Sequence, residues 1–240
     1  MDTSKKHIAS CSFGKDSLAM ILLIIEKKLP LDEVVFYDTG KEFQAIYDTR
    51  DKVLPLLHSL GIKYTELKPQ MPFDYKMFEK PVKKRGTNMI HKFGYSWCGG
   101  TCRWGTTDKL ATLKTYIGVN YDYVGIAADE VNRIEKEKRP NRLLPLVDWG
   151  LIESDCLETC YKHGFYWEEQ NIRLYDILDR VSCWCCRNKN LKELKNIFTH
   201  LPEYWDRLKE VQSRLKEPMK GQGKSIFDLE TRFKREMELI

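Results

Sequence analysis

Short apolar runs alternate with longer amphipathic stretches over the first half of the chain. His7–Ser12 predicts a strand, and Lys15–Lys28 predicts a helix that opens with Leu18, Ala19, Met20, Ile21 and Leu22. Glu33–Tyr37 predicts a second strand ending at Asp38-Thr39-Gly40. Glu42–Leu60 has helical periodicity with Gly61 as its cap, and Ile62–Leu67 predicts a third strand. A β-α-β-α-β order is that of a parallel sheet wrapped by helices. The expected fold class is therefore α/β, a parallel sheet of about five strands flanked by helices. In such sheets ligands sit beyond the carboxyl ends of the strands. Ser12–Ser17 and Asp38–Gly40 both fall there.

The pattern loosens from Pro69 to Thr101, which Pro72, Pro81, Gly86, Gly94, Gly99 and Gly100 interrupt. A helix over Phe73–Lys84 is expected, followed by a long loop. A helix at Thr106–Tyr116 and a strand at Tyr121–Ile126 come next. Beyond Pro145 the character changes. A helix at Ser154–His163, capped by Ser154 and Gly164, precedes a short helix at Leu174–Leu178. A cysteine cluster and two or three charged helices follow, with Pro202 and Pro218 at their boundaries. The expected division is an α/β domain over 1–150 and a helical, cysteine-bearing region over 151–240 packed on it.

Composition narrows the class. No window holds about 18 uninterrupted apolar residues, so no membrane span is expected. The N-terminus lacks the charged-then-apolar order of a signal peptide, which points to the cytoplasm. Eight cysteines in such a chain argue for metal or redox chemistry rather than disulfides. The net charge of +5 is too mild to name nucleic acid as a partner. The charge is uneven, however. Lys76, Lys80, Lys83, Lys84, Arg85, Lys92 and Arg103 are opposed in that stretch by Glu79 alone. Such a stretch suits a polyanion and equally a solvated surface loop.

The chemistry concentrates in Ser12-Phe13-Gly14-Lys15-Asp16-Ser17. A strand, a small polar turn and a helix start bring backbone N–H groups and a positive helix end to one spot, which suits a phosphate chain. Ser12 and Ser17 add hydroxyls, Gly14 permits close approach, and Lys15 adds charge. Asp16 makes sense beside phosphates if Mg²⁺ lies between them. The spacing is not that of a Walker A motif. An ordinary capped βα turn is the bland alternative.

This loop resembles the pyrophosphate loop (PP-loop) of the adenine-nucleotide α-hydrolases, in the Ser-Phe-Gly form of the phosphoadenosine phosphosulfate (PAPS) reductase-like branch. Asp38-Thr39-Gly40-x-x-Phe43 resembles the second motif of that family. Gly125-Ile126-Ala127-Ala128-Asp129-Glu130-x-x-Arg133 is similar to its Gly-Ile-Arg-x-Asp-Glu-Ser-x-Arg segment, with Ala127 in place of arginine. Pro145-Leu146-x-x-Trp149 resembles the approach to its lid. The resemblance implies that Ser12, Phe13, Gly14, Lys15, Asp16, Ser17, Asp38, Thr39, Gly40, Gly125, Ile126, Asp129 and Arg133 bind an adenine nucleotide. It assigns Lys15 and Asp16 to catalysis. Reductases of the family use a thiol near the C-terminus, and this sequence has no cysteine after Cys186. The resemblance therefore favours an ATP-using sulfurtransferase that adenylates its substrate, with tRNA or DNA as the candidate substrate. A PAPS or adenylyl sulfate reductase is the second reading, and a non-catalytic nucleotide- or metal-binding module the third.

Cys183-Trp184-Cys185-Cys186 is the densest thiol cluster, and Cys98-Gly99-Gly100-Thr101-Cys102 is a second pair. Four thiolates suit a [4Fe–4S] cluster or Zn²⁺. The candidate ligands are Cys98, Cys102, Cys183 and Cys186, with Cys185 the candidate for sulfur chemistry. Cys11, Cys156 and Cys160 read as small buried residues. Trp97, Trp104, Trp149, Trp167, Trp184 and Trp205 offer stacking surfaces, though core packing is the commoner role. His7, His58, His91, His163 and His200 form no metal spacing. A sulfur donor or thiol-reductant protein is the expected further partner. The sequence leaves the oligomeric state open.

Overall fold

The computed structural model describes residues 4–137 and 139–238, the Trp104 side chain excepted. That side chain, one of the stacking candidates, lies outside the described residues. In chain order the strands are β1 (His7–Cys11), β2 (Glu33–Tyr37), β3 (Lys63–Leu67), β4 (Pro81–Lys83), β5 (Ile90–Phe93), β6 (Tyr121–Val124), β7 (Arg142–Leu143), β8 (Glu168–Glu169) and β9 (Ile172–Arg173). The helices are α1 (Lys15–Glu26), α2 (Gln44–Ser59), α3 (Asp108–Ile117), α4 (Val131–Ile134), α5 (Pro145–Asp148), α6 (Glu153–Lys162), α7 (Leu174–Ile177), α8 (Leu191–His200), α9 (Pro202–Ser213) and α10 (Ile226–Glu238). Among the described residues no helix is long and apolar enough to cross a membrane.

The chain forms two compact units. The first comprises 1–38, 43–68 and 109–167, and the second comprises 39–42, 69–108 and 168–240. The first holds a five-stranded, all-parallel sheet of order β3-β2-β1-β6-β7. The α/β expectation is met. Val34, Val35, Phe36 and Tyr37 are buried on both faces of β2, as a central parallel strand requires. One side of α1, including Leu18, Ala19, Ile21 and Ile24, is inaccessible to solvent. The fifth strand, β7, is only two residues long. The apolar run Leu143–Val147 begins in it, but Pro145 cuts the strand short.

The second unit builds its helical part around Phe198, Trp205 and Phe233, whose ring centroids lie 5.3–5.9 Å apart. Its other part departs from the sequence expectation. The helix expected over Phe73–Lys84 is one π-helical turn, Tyr75–Glu79, followed by a β4–β5 hairpin. Pro81 explains the stop. It has no N–H for a helix, and it forces Lys80 into extended backbone (φ −55°, ψ 125°). Cross-strand pairing then takes up the segment expected to be loop.

Under the central sheet Asp122 is buried, with Ser10 Oγ donating to it at 2.8 Å and Arg142 Nε at 3.2 Å. Burial pushes its carboxyl up to about 6, against the pull of Ser10 and Arg139. Arg142 also pairs with Glu137, which divides its charge. A raised carboxyl favours folding while protonated. The associated stability is full below the ordinary carboxylate range and is lost as pH rises through about 6. Between pH 4 and 7 the wild type should lose about 2–3 kcal/mol relative to Asp122→Asn, read from urea denaturation at each pH. Parallel pH profiles for the two proteins would refute this.

Candidate functional site

Strand order turns between β1 and β6, so the carboxyl ends of these two strands border a crevice. The Ser12–Ser17 turn enters it from β1, and the segment Gly125–Arg133 from β6. The turn is anchored from below. Phe13 has a positive φ of 55° and is 0 % exposed. Its ring packs against Phe36 at 5.3 Å and Tyr64 at 6.2 Å. Its carbonyl accepts a 2.8 Å bond from Trp167 Nε1, and its N–H donates to Cys11 Sγ at 3.2 Å. Left-handed backbone costs a phenylalanine roughly 1–3 kcal/mol, and these contacts hold it there. Ser17 Oγ accepts from the Ser12 N–H at 3.1 Å and donates to the Gly14 carbonyl at 3.2 Å. The Cys160 thiol donates to the Lys15 carbonyl at 3.3 Å.

The upper side of the turn is the start of α1. Gly14 occupies the N-cap in extended backbone, and no side chain caps the helix. The first N–H groups of a helix have no partner within it, and the helix dipole adds positive potential there. Gly125 presses against this turn. A Cβ on Gly125 would lie 2.7 Å from Ser17 Cα, 2.8 Å from Ser17 N and 3.0 Å from the Asp16 carbonyl carbon. Only glycine lets the end of β6 approach the turn this closely.

One buried cation organises the charges. Lys15 Nζ lies 3.0 Å from Asp16 Oδ1 and 2.5 Å from Glu153 Oε2. Burial opposes the Lys15 charge, but the two carboxylates outweigh it and hold its pKa above the ordinary value. Asp16 is raised, by burial first and then by the charges of Glu153 and Glu130, with Lys15 opposing. Glu153 opens α6, and its N–H donates to Asp129 at 3.2 Å. Asp129 therefore positions the helix whose first side chain reaches Lys15. Glu130 binds the exposed Arg133 through both carboxylate oxygens at 2.6 Å and accepts from the Ala127 N–H at 3.3 Å. Asp38 accepts from Tyr47 Oη at 2.7 Å. Ile126 is packed in the core, and Ala127, where the resembled segment has arginine, is fully buried.

The first unit thus gathers Ser12, Gly14, Lys15, Asp16, Ser17 and Gly125, with Phe13 beneath them. Sequence reading missed Glu153, Trp167, Cys11 and Cys160 as supports. Glu153 and Trp167 lie far along the chain and carry no motif.

Thr39 and Gly40 belong to the second unit. There Thr39 Oγ1 donates to Glu42 at 2.9 Å and lies 3.5 Å from Cys183 Sγ. The two cysteine loops are tied together. Gly100 and Asn188 exchange bonds of 2.9 and 2.7 Å, and Arg187 donates to the Trp97 carbonyl at 3.3 Å. Cys102 and Cys183 flank Gly105, their sulfurs 3.4 and 4.0 Å from where its Cβ would be. Burial, followed by the Glu42 charge, pushes the Cys183 thiol well up, and burial pushes Cys185 up to about 12. Among the described residues no three His, Cys, Asp or Glu side chains are gathered as a metal site. Cys98, Cys102, Cys183 and Cys186 are on two loops that the Gly100–Asn188 and Arg187–Trp97 bonds hold together.

Residues 6–93 match the phosphoadenosine phosphosulfate reductase domain family. An uncharacterised protein of Methanocaldococcus jannaschii is 29% identical over 230 residues, covering 86% of this chain and 41% of the relative. This chain thus spans less than half the length of that relative. An adenosine 5'-phosphosulfate reductase of Geobacillus thermodenitrificans is 24% identical over 192 residues, covering 73% of this chain and 72% of the relative.

Two outcomes follow from this geometry. Gly125→Ala should destabilise the first unit by about 1–3 kcal/mol, through the clash with the Ser17 backbone. A thermal melt within error of wild type would show that the approach is not tight. Cys11, held at about 11, and Cys156, held at about 12, should stay thiols at pH 8, because burial penalises the thiolate. Iodoacetamide and peptide mass mapping should label the partly exposed Cys98, Cys102 and Cys186 first. Early labelling of Cys11 or Cys156 would contradict their burial.

Proposed function

We propose that this chain, a member of the phosphoadenosine phosphosulfate reductase-like family, is an enzyme that binds ATP at the Ser12–Ser17 turn and adenylates a substrate for sulfur transfer. The observation that carries the reading is the Lys15 ammonium, buried at the uncapped start of α1 and shared by Asp16 and Glu153. A cation held at a helix start suits a pyrophosphate leaving group. Ser12 and Ser17 hydroxyls and main-chain N–H groups orient the β- and γ-phosphates. Gly125 and Ile126 border the turn, and Asp38 and Arg133 are further nucleotide contacts of this reading.

Two carboxylates face one ammonium, so the turn is net negative before ATP arrives. A divalent cation removes that conflict. Mg²⁺ takes one or two protein carboxylates together with phosphate oxygens and waters, a demand Asp16 alone meets. When bound, it neutralises charge on the phosphates. Lys15 then exchanges a carboxylate for a phosphate oxygen.

In the reaction an oxygen of the substrate attacks the α-phosphorus. A bond forms between them, the bond to the bridging oxygen of the β-phosphate breaks, and pyrophosphate leaves. The terminal sulfur of a donor persulfide then bonds the activated carbon, the carbon–oxygen bond breaks and AMP leaves. A second thiol attacks the donor's own sulfur, the sulfur–sulfur bond to the substrate breaks, and the substrate keeps the transferred sulfur while donor and second thiol end as a disulfide. A tRNA or DNA base is the substrate of this reading. Cys185, buried and protonated, needs an opening motion to act as the sulfur carrier.

Reduction of PAPS or adenylyl sulfate is the second reading, supported by the family and by the Geobacillus relative's name. Ala127 weighs against it, because a buried methyl group replaces the cation that would meet a sulfate or phosphate.

With Mg²⁺ and a nucleic-acid substrate, the wild type should convert ATP to AMP and pyrophosphate. Lys15→Ala should lower the rate about 10²–10³-fold, as loss of one transition-state donor does. Sulfite release from a sulfonucleotide, with no pyrophosphate from ATP, would replace this reading with the reductase.

A further inference from the structure

The cation-rich stretch has a shape that the proposed ATP site does not use. No acidic residue occurs from Lys80 to Thr107. The β4–β5 ribbon within it is exposed on both strands. Its register pairs Pro81 with Phe93 and Lys83 with Ile90, with a bulge between Val82 and Lys83. Positions two apart on a strand share a face. Phe93, 67 % exposed, and Ile90, 47 % exposed, therefore stand on one face with Lys83. Lys84 and Arg85 are exposed at the tip, and Lys92 is exposed on the other face.

The ribbon returns into a cleft. Gly94 N–H donates to the Lys80 carbonyl at 2.8 Å, and Tyr95 N–H to the Lys76 carbonyl at 3.0 Å. Tyr95 is thereby set beneath two cations, Lys80 Nζ at 5.7 Å and Arg103 Cζ at 5.2 Å from its ring centroid. The cleft measures about 420 Å³ and is lined by the cations Lys76, Lys80 and Arg103, by Tyr95, Thr101 and Thr107, and by one carboxylate, Asp108. Two π-helical turns, Tyr75–Glu79 and Arg103–Thr107, frame it, a widened geometry that recurs at functional sites. Lys76 is paired with Asp108. Burial, and then the Lys80 charge, lower its pKa, so an anion here relieves crowded cations.

We propose that the ribbon and the cleft at its foot form one track for single-stranded nucleic acid. Backbone phosphates lie on Lys83, Lys84 and Arg85. A base stacks on Phe93, and one phosphate-bearing unit enters the cleft between Lys80 and Arg103. Exposed aromatic and apolar side chains interleaved with cations are the chemistry that grips a single strand. The cleft is larger than a phosphate ion needs and falls in the size range of small-ligand sites. This deepens the sulfur-transfer reading and rests on it only for the polymer's role as substrate.

The test is fluorescence anisotropy of labelled single-stranded DNA and RNA oligonucleotides with the whole chain and without ATP. Its failure is thus separate from failure of ATP cleavage. Binding should weaken with salt, with a slope of roughly −0.7 per phosphate contacted. Lys83→Ala/Lys84→Ala/Arg85→Ala should weaken it at least about tenfold and make the slope shallower by roughly two. Phe93→Ala should weaken it about fivefold or more and leave the slope unchanged. These side chains are exposed, and far-UV circular dichroism checks the fold of each variant. Lys68→Ala/Lys162→Ala removes two cations that are 67% and 70% exposed elsewhere and should change nothing. Wild type that binds neither strand, or a triple variant indistinguishable from that control, overturns the proposal. So does preferential binding to phosphatidylserine vesicles that an oligonucleotide does not displace.

Discussion

A helix start with no side-chain cap leaves its first N–H groups unpartnered within the helix, so the turn before it must be held rigid from elsewhere, and that constraint governs the first unit. Within the turn, Ser17 Oγ bridges the Ser12 N–H and the Gly14 carbonyl. Further support comes from the core side. Phe13 is turned inward at positive φ, its carbonyl is taken by Trp167, and its N–H by the Cys11 sulfur. Gly125 closes the side facing β6. Each support leaves the helix start uncapped. Strain in one phenylalanine is what such preorganisation costs, and burial of its ring offsets it.

Electrostatics follow from the same geometry. Burying Lys15 beside the turn demands compensation, and Asp16 alone is too strongly desolvated to supply it comfortably. Glu153 completes the pairing from α6, whose start is in turn held by Asp129. The result is a cation kept charged and in place by two carboxylates. Asp129 and Glu130 so act largely through neighbours: one sets α6, and the other holds Arg133.

The second unit uses a different device. Pro81 ends a helical segment, and the residues after it find strand partners instead of solvent. Gly94 makes the return possible. It has a φ of +69°, and a Cβ there would lie 2.7 Å from the Phe78 carbonyl carbon. The same return places Tyr95 among cations that are far apart in sequence. Nearby, the Gly100–Asn188 and Arg187–Trp97 bonds hold two cysteine loops side by side, with Cys185 buried and Cys98, Cys102 and Cys186 partly exposed.

The α/β class and the parallel strands β1, β2, β3 and β6 were legible in the sequence, because buried parallel strands need near-continuous apolar runs and helices between them need periodic ones. The turn between β1 and α1 was legible too, since small polar residues and Gly14 at short range break the strand and start the helix. Strand β7 was not, because Pro145 interrupts the apolar run Leu143–Val147 after only two paired residues. Nor was the Phe73–Lys84 segment, where helical periodicity lost to the missing N–H of Pro81. Cysteine spacing named candidate ligands, yet whether thiols meet depends on loop closure across many residues. Glu153, Trp167 and Cys160 acquired their roles only through packing over α1 and β1. Sequence by itself determined which short-range chemistry was present, because strand, turn and helix signals are local. Tertiary structure alone decided which distant side chains support the turn and keep Lys15 charged, because burial and Coulomb energy depend on distances in space.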